Sequence, residues 1–168
     1  MRGGRYRLVE VVRVLSVGAN RVSGVAVVLM IILIVAEVVL RKFFDRSTTL
    51  CDEYTGYFQA AVVFLSLAQC FKDNLHISVD LILRRLPNPL RRWIEVINHL
   101  VALFFVAMLL WAGGQMTWES FLFGSTSYGP SNTPLFIPQL VVVIGLAIFA
   151  IQILCSFLLT IGKQSEAS

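Results

Sequence analysis

From Ser120 to Gly162 the chain runs for 43 residues without one Asp, Glu, Lys, Arg or His. Such a stretch cannot face water, because a domain in water covers itself with charged groups. In a bilayer that need disappears, since residues facing lipid stay apolar. A helix crosses the hydrocarbon core with about 20 residues, so this stretch is too long for one crossing. Turn chemistry divides it: Gly124-Ser125, then Tyr128-Gly129-Pro130-Ser131-Asn132-Thr133-Pro134. A short polar loop therefore joins the end of one span to the start of the next. Pro134 and Pro138 suit the opening of a helix, where the missing N–H has no helical partner anyway.

The rest of the chain repeats the pattern. Apolar runs bounded by charges predict four spans, at about 22–40, 54–71, 96–118 and 136–161, within a single membrane domain covering 1–168. The expected fold class is all-α: a polytopic membrane protein with four transmembrane helices plus amphipathic interfacial helices. Composition agrees, with 57 % hydrophobic and only 14 % charged residues. The first run is long for a signal-peptide core and ends in Arg41-Lys42 instead of a small-residue cleavage site, so it reads as a retained span. Two stretches read as interfacial helices. One is 1–20, where Leu8, Val11, Val12 and Leu15 share a face. The other follows span two, with Ile77, Leu81 and Arg84-Arg85, and Pro87-Asn88-Pro89 breaks it.

The net charge of +4 comes from cations grouped between apolar runs, with no basic–aromatic stripe. Nucleic acid is thereby excluded as a partner, and the lipid bilayer takes its place. With four spans, eleven of the 14 Lys and Arg residues fall on one side and three on the other. The positive-inside rule then places both termini in the cytoplasm. Of the three cysteines, Cys70 and Cys155 lie in apolar runs and read as small buried hydrophobes. Cys51, beside Asp52 at a span end, reads as the thiol nearest water.

Few residues here could carry chemistry. Glu37 lies inside an apolar run and is a functional candidate for that reason. It reads either as an i, i+4 partner of Arg41 or as a contact to another subunit. Glu53 and Tyr57 share a helical face at the start of span two, where acidic groups are favoured by the helix dipole. His76, Asp80 and Arg84 are spaced four apart and line one face of the expected interfacial helix. His99 lies within span three, and a haem pair would need a second histidine from another span. No nucleophile, phosphate-binding or metal-ligand motif is present in the sequence, so no enzyme activity, catalytic residue, cofactor or metal is expected.

The ordered set of short motifs resembles a family: the small permease subunit (DctQ-like) of tripartite ATP-independent periplasmic, or TRAP, transporters. Glu53-Tyr54-Thr55-Gly56-Tyr57 opens span two, and Phe71-Lys72-Asp73-Asn74-Leu75-His76-Ile77-Ser78-Val79-Asp80 follows it. Leu86-Pro87 precedes span three, and Thr133-Pro134-Leu135-Phe136-Ile137-Pro138-Gln139 opens span four. The resemblance implies a bacterial inner-membrane subunit that works with a large TRAP permease subunit and a periplasmic solute-binding protein. It implies import of organic acids, carboxylates above all, driven by a sodium or proton gradient that the complex uses rather than this subunit. The implied role is a scaffold for the large permease, extending to docking of the binding protein. Glu53, Tyr57, His76, Asp80 and Glu37 are then partner-interface candidates. The rival readings are a membrane anchor of a redox complex and an independent small carrier.

Overall fold

A computed structural model describes residues 2–44, 50–72 and 88–165. His76, Asp80 and the interfacial helix expected around them lie outside the described residues. Among the described residues four helices follow in chain order: α1 (Arg2–Phe44), α2 (Leu50–Lys72), α3 (Asn88–Leu122) and α4 (Phe136–Ser165). Three contain stretches long and apolar enough to cross a membrane: Glu10–Phe43, Trp93–Leu122 and Phe136–Leu158. The fourth expected span, on α2, is long enough at 23 residues but more polar. Tyr54, Thr55, Tyr57, Gln59 and Gln69 dilute its apolar character. Its position accounts for this: α2 packs between α1 and α4 and shows less of itself to the outside than α1 does.

The N-terminal stretch is not a separate interfacial helix. It continues without a break into the first apolar run, as one helix of 43 residues, about 65 Å at 1.5 Å per residue. Nothing between residues 18 and 22 interrupts it, since a lone Gly18 is tolerated in a helix. Its packing face also differs from the expected one. Val11 and Leu15 are exposed, whereas Val12, Ser16, Ala19, Ser23, Ala26 and Glu37 are buried, and Met30 and Leu33 are half-buried. The spacing alternates four and three, the heptad seam of coiled-coil packing. Small residues hold the middle of the seam because helices in lipid associate by close backbone approach rather than by hiding large apolar groups. Hydroxyls add to it: Ser23 Oγ donates to the Val62 carbonyl at 3.2 Å, and Ser16 Oγ lies 3.3 Å from Oε1 of Gln152.

The helices alternate in direction along their contacts. Leu33 and Ser23 meet Cys51 and Val62, so α1 and α2 are antiparallel. Tyr54 meets Thr133 and Phe71 meets Phe149, so α2 and α4 are parallel. Phe121 meets Phe136 and His99 meets Ser156, so α3 and α4 are antiparallel. Among the described residues, α1, α2 and α4 all touch one another, while α3 packs substantially on α4 alone. α3 thus flanks the α1–α2–α4 cluster and leaves Phe104, Met108, Trp111 and Trp118 exposed.

The thiols sit opposite to expectation. Cys51 is buried, with Sγ 3.8 Å from the Leu33 carbonyl, and Cys70 is exposed. The heptad seam of α1 covers the first turn of α2, which a reading of span ends alone does not show.

The tightest crossing joins α2 and α4. A Cβ placed on Gly145 would lie 2.7 Å from the backbone carbon and oxygen of Phe64. Gly145→Ala is therefore expected to separate the two helices and cost about 1–3 kcal/mol by overpacking. Gly114 on α3 has nothing within 4 Å of its added Cβ, and Gly114→Ala should stabilise by about 0.5–1 kcal/mol. Thermal unfolding in detergent checks the pair. Equal midpoints for both variants would contradict the close approach.

Candidate functional site

The α3–α4 connection is a pinned hairpin rather than a loose loop. α3 ends in a left-handed Gly124 (φ 60°). Ser125 N–H donates to the Ser120 carbonyl at 3.0 Å and Gly124 N–H to that of Phe121 at 3.4 Å, the paired bonds of a Schellman cap. The chain then doubles back. Ser127 N–H donates to the Thr133 carbonyl at 2.9 Å and Leu135 N–H to that of Ser125 at 3.0 Å. Asn132 takes a positive φ of 47°, which asparagine tolerates better than most residues.

This hairpin folds over the start of α2, and Glu53 lies under it. Ser131 Oγ donates to Glu53 Oε1 at 2.7 Å, and Tyr57 OH donates to the same oxygen at 2.8 Å. Thr133 Oγ1 donates to Ser131 Oγ at 2.7 Å and also lies 3.1 Å from Tyr54 OH. The Tyr54 and Tyr57 rings pack edge to face. The other carboxylate oxygen, Oε2, is buried and has no hydrogen-bond partner among the described residues. A Cβ on Gly129 would collide with that carboxylate, so only glycine lets the hairpin close on it. The neighbouring Ser127 hydroxyl, then that of Ser131, hold the Glu53 carboxyl below the usual carboxylate range. The helix dipole at the start of α2 favours the anion too. Chemically the arrangement is a clamp: one anion accepts hydroxyls from two chain segments and ties the hairpin to α2.

Glu37 occupies a different place from Glu53. It is buried on the α1 seam, and Arg41 Nη2 lies 3.5 Å from its Oε1, the i, i+4 pairing expected. Both border a groove of about 690 Å³ between α1 and α2, which Asp52, Thr55 and Gln59 also line. Glu53 and Tyr57 are thus brought together, and Glu37 is not part of their cluster. His99 is engaged at both ring nitrogens. Nδ1 lies 2.7 Å from the Glu95 carbonyl, which can only accept, and Nε2 lies 3.2 Å from Ser156 Oγ. The rings of Phe71 and Phe157 flank it. An axial haem ligand needs one of those nitrogens open.

Sequence reasoning missed Ser131 as a partner of Glu53, and with it Ser127, Thr133 and Gly129 as the hairpin residues around that contact. Their signal was faint but present: hydroxyl residues dense in an uncharged loop, with an acid at a span end able to face them.

The clamp has a pH signature. The folded-state pKa of Glu53 lies below its ordinary value of 4.5. Its stabilisation is therefore complete above the unfolded value and is lost as pH falls through the folded one. The wild-type unfolding midpoint should decline below about pH 4.5, and Glu53→Gln should remove that part of the decline. Melting curves from pH 3 to 7 check this. Identical pH profiles for the two proteins would contradict it.

Comparison with known proteins places this architecture. The sequence model of the family described as tripartite ATP-independent periplasmic transporters, DctQ component, matches residues 30–162. A protein of Haemophilus influenzae, carrying the provisional name of TRAP transporter small permease protein, is 27 % identical over 101 residues. That match takes in 58 % of this chain and 61 % of the relative's length. No solved structure matches the chain. With most of its length inside the family match, the chain belongs to the DctQ family of TRAP transporter components.

Proposed function

We propose that this chain is the small membrane subunit of a TRAP system that imports organic acids without ATP, and that it acts as a scaffold. The family match over residues 30–162 carries the reading. α2 is the fourth crossing: 23 residues reach about 35 Å, enough for a core of roughly 30 Å. Its neighbours shelter the polar groups that lower its hydropathy. With four crossings both termini are cytoplasmic, and the hairpin over Glu53 lies on the periplasmic side. There it is placed to meet a periplasmic solute-binding protein.

The side-chain chemistry supports a bracing role. Glu53, Tyr57 and His99 are committed to holding helices and hairpin together. The outward faces of α1 and α3 leave broad apolar surface for a large permease subunit. Substrate binding and coupling to a sodium or proton gradient belong to that larger partner.

Reconstitution tests this reading. The chain alone in proteoliposomes should move no carboxylate under a sodium or proton gradient, and uptake should follow addition of the large permease and binding protein. Transport by the chain alone would contradict it. In affinity capture of the large permease, Glu53→Ala should reduce recovery more than Glu37→Ala, because Glu53 fixes the hairpin and Glu37 lies outside that cluster. Equal recovery would count against a role for the clamp in assembly.

A further inference from the structure

Contacts between helices fix the height of α1. The Phe64 backbone abuts Gly145, close to the middle of the apolar stretch Phe136–Leu158 of α4. Val62, half a turn from Phe64, accepts the hydrogen bond from Ser23. Ser16, one heptad step earlier on α1, lies beside Gln152, still inside that apolar stretch. Arg21 falls between Ser16 and Ser23, about 3 Å along the axis from the latter. It is therefore near the mid-plane of any membrane that α4 crosses, roughly 15 Å from either edge of the core.

Arg21 is also exposed. The seam runs through Val12, Ser16, Ala19, Ser23 and Ala26, so helical periodicity puts Arg21 on the opposite face, with Val14, Val25, Val28 and Ile32. Those four are exposed as well. No carboxylate partner of Arg21 occurs among the described residues. A guanidinium at that depth facing hydrocarbon is costly and marks a functional contact by default. The other end of α1 shows the converse mismatch. Cys51, at the start of α2, is level with Leu33. Beyond Leu33 the exposed Ile34, Val35, Val38, Val39 and Leu40 run on past the first residues of α2 toward Arg41 and Lys42, about 10 Å of apolar helix. Tilting the whole assembly does not repair this, since neighbouring helices only 8–10 Å apart cannot be offset by more than that.

We propose that the outward face of α1, from Val14 to Val39, docks against a transmembrane helix of a different membrane protein, and that this helix presents a carboxylate to Arg21 near mid-depth. The charge of Arg21 sets the chemistry of the partner, and the protruding apolar end sets its length. A second copy of this chain does not fit, because the described carboxylates Glu10, Glu37, Asp52, Glu53, Glu95 and Glu119 lie toward the ends of the helices. The inference rests on the scaffold reading above and takes the large permease subunit as the partner.

The test uses the full chain co-expressed with the large permease. Arg21→Leu should lower the affinity of the pair by about tenfold or more, because the partner's buried carboxylate loses its counter-charge. Arg21→Lys should retain most of the binding. The melting midpoint of the isolated Arg21→Leu subunit should stay level or rise, since the lost charge served no internal contact. Undiminished capture by Arg21→Leu would overturn the proposal, as would loss of capture that merely follows a fall in the subunit's own midpoint. If the wild-type chain captures no large permease, the scaffold reading itself falls, and the docking face with it.

Discussion

The heptad seam of α1 is the constraint on which the rest of the structure depends. Its small residues let α1 approach α2 and α4 closely, and the Ser23 and Ser16 contacts allow only one height. In lipid there is little hydrophobic drive to bring helices together, so close packing and a few hydrogen bonds must specify the register. Once that register is set, α1 is displaced relative to the apolar centre of its own sequence. An arginine comes to mid-depth and a greasy end projects beyond its neighbours. A chain that had to be stable alone in a membrane would gain from sliding α1 by about three turns. This one is locked out of that position, which is how a subunit made for a larger partner would behave.

The opposite end is held by electrostatics rather than shape. Glu53 collects hydroxyls from Tyr57 and Ser131, and Gly129 gives the room for the hairpin to close over it. Gly145 against the Phe64 backbone then keeps α2 and α4 parallel below the hairpin. These two devices tie α2 to α4, the helix that touches the other three among the described residues. α3, which among the described residues packs substantially on α4 alone, is the natural place for movement or for further contacts.

Much of this was legible in the sequence. Helix type and the polar hairpin between α3 and α4 follow from long apolar runs and turn residues, because those patterns are local. The Glu53–Tyr57 and Glu37–Arg41 pairs follow from the helical repeat alone. What did not follow was set by contacts between distant segments. Nothing in the spacing near Glu53 says that Ser131, 78 positions later, donates to it. The α1 seam was missed because Val11 and Leu15 attract attention as large apolar residues, whereas lipid-embedded packing selects Ser16, Ala19 and Ser23. Cys51 was misplaced for the same reason: its burial depends on Leu33 of another helix. The family resemblance drew on the ordered set of segments, and the match over residues 30–162 agrees with it.

The height of α1 is the claim that most directly decides the account. It can be read by placing single cysteines at positions 14, 21, 28, 35 and 39 of α1, with the three native cysteines replaced, and labelling the isolated subunit in sealed vesicles with a membrane-impermeant thiol reagent. The account predicts protection centred on position 21, with labelling returning at 35 and 39 from one side. Protection centred near position 31, with position 21 reactive from the other side, would show that α1 follows its hydropathy and not its packing, and would contradict the register described.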